Sequence, residues 1–115
     1  MRIAYIVGPY RAETKREIID NIYKASVVAK YYWSLGFAVI CPHMNSAHFD
    51  GVAADKVFLN GYLTILACLK SSRHLVVVTP GYKKSSGSLA EIKLAEDLSI
   101  PITYMSKATY QAINL

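Results

Sequence analysis

The stretch Ile3-Ala4-Tyr5-Ile6-Val7, followed at once by Gly8-Pro9, decides the fold. A continuous apolar run of this length, with no polar alternation, is the pattern of a central strand covered on both faces. The Gly-Pro pair then turns it into a loop. Phe37-Ala38-Val39-Ile40-Cys41, stopped by Pro42, reads as a second such strand. A third spans residues 75–79 and ends at Pro80-Gly81, and a fourth spans residues 100–105.

Between these runs the period changes. Over residues 13–35, Ile18, Ile19, Ile22, Ala25, Ala29 and Trp33 recur at three and four residues, and Gly36 closes the helix. Residues 43–53 read as a loop. A helix is expected over residues 54–70. Its interior Gly61 costs roughly 1 kcal/mol against alanine, so a close packing or ligand contact is expected there. Leu89, Ile92, Leu94 and Ala95 mark a helix over residues 88–98, and residues 107–113 form a short last one. Strands alternating with helices imply right-handed crossovers and a parallel sheet. The fold predicted is a small three-layer α/β/α sandwich, one domain over residues 1–115.

The bulk composition agrees and excludes several classes. The chain has 115 residues, 53% hydrophobic and 18% charged, which argues against disorder. No apolar stretch approaches the ~20 residues of a bilayer span, and the first strand is too short for a signal-peptide core. Cys41 and Cys68 stand in apolar segments without CxxC spacing, the pattern of buried free thiols in a reducing cytoplasm. Thirteen Lys and Arg against eight Asp and Glu give +5, which favours anionic partners. The excess is local, since no acid lies between residues 70 and 84, where Lys70, Arg73, Lys83 and Lys84 occur. A nucleic-acid module would rest on this charge alone, because no basic recognition helix accompanies it.

Ligands of open parallel sheets bind beyond the carboxyl ends of the strands, where strand order reverses. The loops expected there are Gly8-Pro9-Tyr10-Arg11, Pro42-His43-Met44-Asn45 and residues 80–88. Tyr82-Lys83-Lys84-Ser85-Ser86-Gly87-Ser88 precedes a helix, and helix-start N–H groups, serine hydroxyls and a glycine turn suit a phosphate. Ser88 and Glu91 equally fit a capping box on the first helical turn. Neither GxxxxGK[ST] nor GxGxxG is present, and no acidic pair follows the first strand as in a response regulator. Glu91 in this setting could attack an anomeric carbon, or serve as a solvated glutamate. His43 could protonate a leaving base or contact phosphate, Asn45 could donate to sugar or base, and Asp50 could read or assist the base. Tyr10 and Tyr82 are the loop candidates for stacking, whereas Tyr23, Tyr31 and Tyr32 read as core or subunit interface.

Taken in order, Tyr5-Ile6-Val7-Gly8-Pro9-Tyr10, the Trp33/Gly36 helix end, Pro42-His43-x-Asn45 and Ser85-Ser86-Gly87-Ser88-Leu89-Ala90-Glu91 resemble the nucleoside 2-deoxyribosyltransferase-like superfamily. That superfamily includes deoxynucleoside monophosphate N-glycosidases and small, often phage-borne members. The resemblance implies a flavodoxin-like or Rossmann-like sheet, homodimers or higher homo-oligomers that complete one another's sites, and no metal or redox cofactor. By position Glu91 resembles the nucleophile that attacks C1′. Ser85 matches the place where the monophosphate glycosidases hold the 5′-phosphate and the nucleoside transferases carry an acid. Gly8, Pro9 and Tyr10 resemble the loop lining sugar and base.

Two departures accompany it. Arg73-His74 stands where the superfamily commonly begins the third strand with Asp, and no acid occurs between Tyr62 and Leu69, where a helical Asp commonly assists. Asp50 or Asp55 could replace that acid from the loop. The expected activity is therefore cleavage or exchange of the N-glycosidic bond of a (deoxy)nucleotide through a glycosyl-Glu91 intermediate. The alternative is a catalytically weakened binder that sequesters a nucleotide or an ADP-ribose-type signal.

Overall fold

A computed structural model describes residues 1–114. Four parallel strands, β1 (Ile3–Val7), β2 (Ala38–Ile40), β3 (Leu75–Val78) and β4 (Ile102–Tyr104), lie in the order β2-β1-β3-β4. The helices are α1 (Lys15–Ser34), α2 (Pro42–Asn45), α3 (Asp55–Ala67), α4 (Ser86–Asp97) and α5 (Lys107–Ile113), with a 3₁₀ turn at Tyr82–Lys84. This is the α/β sandwich that the alternating apolar runs predict. The expected loop over residues 43–53 differs at its start, where Pro42 at the first helical position seeds the short α2.

Strand alternation sorts the core into two clusters. Ala4, Ile6, Leu75 and Val77 face α1 and α5, meeting Ala25, Val28, Ala29 and Tyr32. Tyr5, Val7, Val76 and Val78 face α3 and α4, meeting Leu66, Leu69, Ile92 and Ala95. Helices thus cover both faces, which is why β1 and β3 need apolar residues at successive positions. The α1 stripe is narrower than its spacing suggests, because Ile19 and Trp33 are exposed. Cys68 is also exposed and Cys41 half-buried, so only the free state of the expected thiols is seen and not their burial.

Local signals set the ends of α1. Thr14 Oγ1 accepts the Glu17 N–H at 3.2 Å as the N-cap, and its hydroxyl donates to the Glu17 carboxylate at 2.9 Å. At the other end Phe37 N–H bonds to Tyr32 O and Gly36 N–H to Trp33 O, with Gly36 at φ 91°. This is a Schellman motif, and the Tyr32 and Phe37 rings close it at 5.3 Å. Ser99 makes the same turn after α4 at φ 56°, where a side chain is disfavoured. The Arg73-His74 departure has a structural use: His74 Nδ1 accepts the Ile3 N–H at 3.1 Å, and Arg73 O accepts from Arg2 at 2.8 Å.

Two glycines behave oppositely. A Cβ on Gly8 would collide with the buried Thr79 hydroxyl, so the position after β1 has no room for a side chain beside the residue that follows β3. Gly61 has nothing within 4 Å of the corresponding position, which overturns the expectation of a close packing contact there. Gly8→Ala should therefore destabilise by about 1–3 kcal/mol through overpacking. Gly61→Ala should stabilise by about 1 kcal/mol from helix propensity. Urea unfolding of both variants checks the pair; a midpoint lowered by Gly61→Ala would contradict the open face.

Candidate functional site

The chain runs from β1 to β2 on one side and later to β3 on the other, so strand order reverses between β1 and β3. A pocket of about 390 Å³ opens at their carboxyl ends. The loop after β1 supplies Gly8, Tyr10 and Arg11, and the segment after β2 supplies Pro42, His43, Ser46, Phe49 and Asp50. Residues 84–88 close the side after β3. Helix α3 adds Asp55, Lys56, Phe58, Leu59 and Tyr62, and α4 adds Glu91. The three loops expected to converge do so.

Glu91 lies on the second turn of α4 rather than the first, because the helix begins at Ser86, two residues before the expected start. It is 8% exposed and accepts a hydrogen bond at Oε2 from the Tyr5 hydroxyl. Strand alternation explains the pair: Tyr5 is fully buried on the α3/α4 face, so its ring runs beneath the helices and its hydroxyl surfaces at the carboxylate. The Tyr62 carbonyl lies 3.4 Å from the same hydroxyl. Burial pushes the Glu91 carboxyl up to about 7, and the Tyr5 hydrogen bond draws it back down. Tyr5 in turn is pushed far above the phenol range, first by burial and then by the charge of Glu91. The site therefore holds a carboxyl that titrates near neutrality and is kept in one orientation.

His43 is placed differently from the proton donor that the sequence suggested. Its Nε2 lies 3.0 Å from both the Gly8 and the Pro9 carbonyl oxygens, so this nitrogen carries the hydrogen and donates to them. Nδ1 is buried without a partner. Burial lowers the His43 pKa against the pull of the two carbonyls, which keeps the ring neutral with Nδ1 bare. The imidazole ties α2 to the loop after β1 and so fixes one wall of the pocket.

Ser85, not Ser88, caps α4. Its Oγ accepts the Ser88 N–H at 3.2 Å and the Ser88 hydroxyl at 2.9 Å. With both acceptor positions used, the Ser85 hydroxyl hydrogen is free to point outward. The N–H groups of Ser86 and Gly87 are the open donors of the first turn. Gly87 has helical rather than left-handed backbone, so no glycine turn is needed there, and Ser88 is 1% exposed. Lys84 stands beside this helix start in the pocket wall.

The opposite rim is an ion cluster. Arg11 bonds Asp55 at 2.7 Å and Asp50 at 3.2 Å, and its guanidinium lies 5.3 Å from the Tyr10 ring centroid. Asp50 is thus at the mouth, half exposed and already paired. Pro9, Asn45 and Tyr82 do not line the pocket. Pro9 contributes its carbonyl to His43, Asn45 donates to the Tyr62 hydroxyl at 3.1 Å, and Tyr82 packs against Tyr104 at 5.3 Å.

The sequence matches the family described as domain of unknown function DUF7768 over residues 2–105. The chain belongs to that family. No curated protein matches it. The DUF7768 match ends after β4, so the sheet and every residue of the pocket fall inside it.

Several pocket residues were not evident from the sequence. Tyr5 reads as one more apolar strand residue, and its hydroxyl matters only because the strand points it at Glu91. Phe49, Phe58, Leu59 and Tyr62 give no motif. Among the described residues, no group of three or more His, Cys, Asp or Glu side chains could hold a metal ion, and no helix is long and apolar enough to cross a membrane.

The buried carboxyl couples stability to pH. A carboxyl raised from 4.5 unfolded to about 7 folded binds its proton more tightly in the native state. Its stabilisation is complete below pH 4.5, falls as pH rises from 4.5 to 7, and is gone above that, a loss on the order of 3 kcal/mol. Glu91→Gln should therefore melt above wild type at pH 8, and the difference should shrink towards pH 4.5. Tyr5→Phe should move the Glu91 titration upward, read by carboxyl NMR shifts. A Glu91 titration left unmoved in Tyr5→Phe would refute the hydrogen-bond assignment.

Proposed function

We propose that this protein cleaves or exchanges the N-glycosidic bond of a (deoxy)nucleoside 5′-monophosphate, with Glu91 as the nucleophile. The observation that carries the reading is the buried Glu91 carboxylate, oriented by Tyr5 beneath the pocket, one helical turn from the donor groups at the start of α4. The resemblance to the nucleoside 2-deoxyribosyltransferase-like superfamily supports the same residues in the same roles.

On this reading each part of the site has a task. A 5′-phosphate would rest on the Ser86 and Gly87 N–H groups and the Ser85 hydroxyl, with Lys84 supplying charge. Sugar would then lie over Glu91, and the base against Tyr10, Phe49 and Phe58 under the Arg11 rim. Attack of Glu91 on C1′ forms a glycosyl ester and expels the base; water or a second base resolves the ester. Because the carboxylate must be ionised, the free-enzyme rate should rise through an acid limb near pH 7 and level off above it. Free thiols at Cys41 and Cys68 accord with a reducing, cytoplasmic setting; burial lifts the Cys41 thiol to about 11, so it is no competing nucleophile.

A second reading follows from the engaged His43 and from the absence of any acid between Tyr62 and Leu69. It is a binder that retains the ligand intact. Incubation with a nucleotide panel and chromatography of free base separates the two. Wild type should release base and Glu91→Ala should not, a loss of at least ~10³-fold for removal of a covalent nucleophile. Equal slow release by both proteins, with intact nucleotide recovered at one per chain, would support the binder instead. Ser85→Asp keeps the helix cap but places a negative charge at the phosphate position. It should shift preference from nucleotide to free nucleoside, read as a fall in the ratio of their kcat/KM values.

A further inference from the structure

From the hydrogen bonds already made around the pocket, we infer that its preferred substrate is an N-glycoside whose base carries a fixed positive charge, such as an N-alkylated purine or a pyridinium. The inference rests on the reading of Glu91 as the nucleophile and concerns the other half of the reaction, the departure of the base.

A neutral base leaves poorly unless it is protonated, and a positioned acid contributes ~10²–10⁴-fold. The histidine, two of the tyrosines and the aspartates of the pocket are engaged elsewhere, which leaves the two lysines of the wall, Lys56 and Lys84. His43 gives its only hydrogen, on Nε2, to the Gly8 and Pro9 carbonyls at 3.0 Å. Its bare Nδ1 is buried and carries no proton to give. Tyr5 spends its hydroxyl hydrogen on the nucleophile itself. Tyr62 donates to Ser46 Oγ at 2.7 Å. Asp50 and Asp55 are exposed carboxylates whose oxygens accept from Arg11 at 3.2 and 2.7 Å. A base that is already cationic needs none of these groups.

The two ends of the pocket also differ in charge. Arg11 with Asp50 and Asp55 carries a formal charge of −1 at the rim, next to the rings of Tyr10 and Phe49. Lys84 and the open N–H groups of α4 make the other end positive, while Lys56 leaves the whole lining balanced at three acids and three bases. Aromatic faces and a net negative rim attract a cationic base, and the helix start attracts its phosphate. The arrangement matches a nucleotide that is positive at one end and negative at the other.

The step balances without further reagents. Glu91 forms a C–O bond to C1′ as the C1′–N bond breaks. The bonding pair returns to the ring nitrogen and cancels its charge, so the base leaves neutral. Water then adds to C1′, the Glu91 carboxylate is regenerated, and one proton passes to solvent.

The test compares N7-methylguanosine 5′-monophosphate with guanosine 5′-monophosphate, which differ by one methyl group and the charge it fixes, in ribo and 2′-deoxy forms, with nicotinamide mononucleotide as the pyridinium. Free base is followed by chromatography after subtraction of the enzyme-free rate. The cationic member should be cleaved at least ~10²-fold faster, the share a general acid would otherwise supply, and Glu91→Ala should abolish that cleavage. Equal kcat/KM for the charged and neutral members would overturn the cationic preference and leave Glu91 as nucleophile. Cleavage of neither, or the same cleavage by Glu91→Ala, would overturn the glycosidase reading as well. The three results are distinguishable from one data set.

Discussion

The hydrogen bond from the Tyr5 hydroxyl to the Glu91 carboxylate is the constraint around which the pocket is arranged. A carboxylate this deeply buried is costly unless something polar meets it. The only way to bring a donor there from inside is along the sheet. A tyrosine on the α3/α4 face of the central strand does so, because its ring fills core volume while its hydroxyl extends to the edge. The same residue therefore belongs to the hydrophobic core and to the site, and the strand cannot shift by one position without moving both.

A second constraint acts one residue beyond the strand. Gly8 has no room for a side chain against Thr79, and its carbonyl is held by His43. The closeness of Gly8 to Thr79 fixes where the loop leaves the sheet, and the imidazole fixes where it goes next. This explains why a histidine followed the proline that ends β2. Pro42 starts α2, and the first turn of α2 carries the ring back to the loop after β1. A histidine that could have been reaction chemistry in the sequence holds the loop after β1 through its Nε2.

These cases mark what the sequence could carry. Uninterrupted apolar runs and 3.6-residue spacing reveal the strands, the two-sided cover and the convergence of three loops, because burial is a property of residue type. The cap of α4 was less legible. Ser85, Ser86 and Ser88 are equivalent as residue types, and the choice among them depends on the 3₁₀ turn at Tyr82–Lys84, which rests on the left-handed Gly81 at φ 90°. Hydrogen-bond partners were less legible still. Tyr5 and Glu91 are 86 positions apart, and His43 and Gly8 are 35 apart. No local pattern encodes pairs set by how two loops meet.

The charge of the chain takes on direction once these partners are known. A net charge of +5 describes only a general attraction for anions. In the folded chain the positive excess after β3 ends at the start of α4, where open N–H groups add partial positive charge, whereas the acids Asp50 and Asp55 collect across the pocket on a single arginine. The buried Glu91 therefore lies in the pocket lined by both the Arg11 cluster and the start of α4. Because Tyr5 donates to Glu91 and lowers its pKa, the carboxylate can be ionised near neutral pH while remaining out of water. The orientation of that carboxylate is thus set by where a core tyrosine ends.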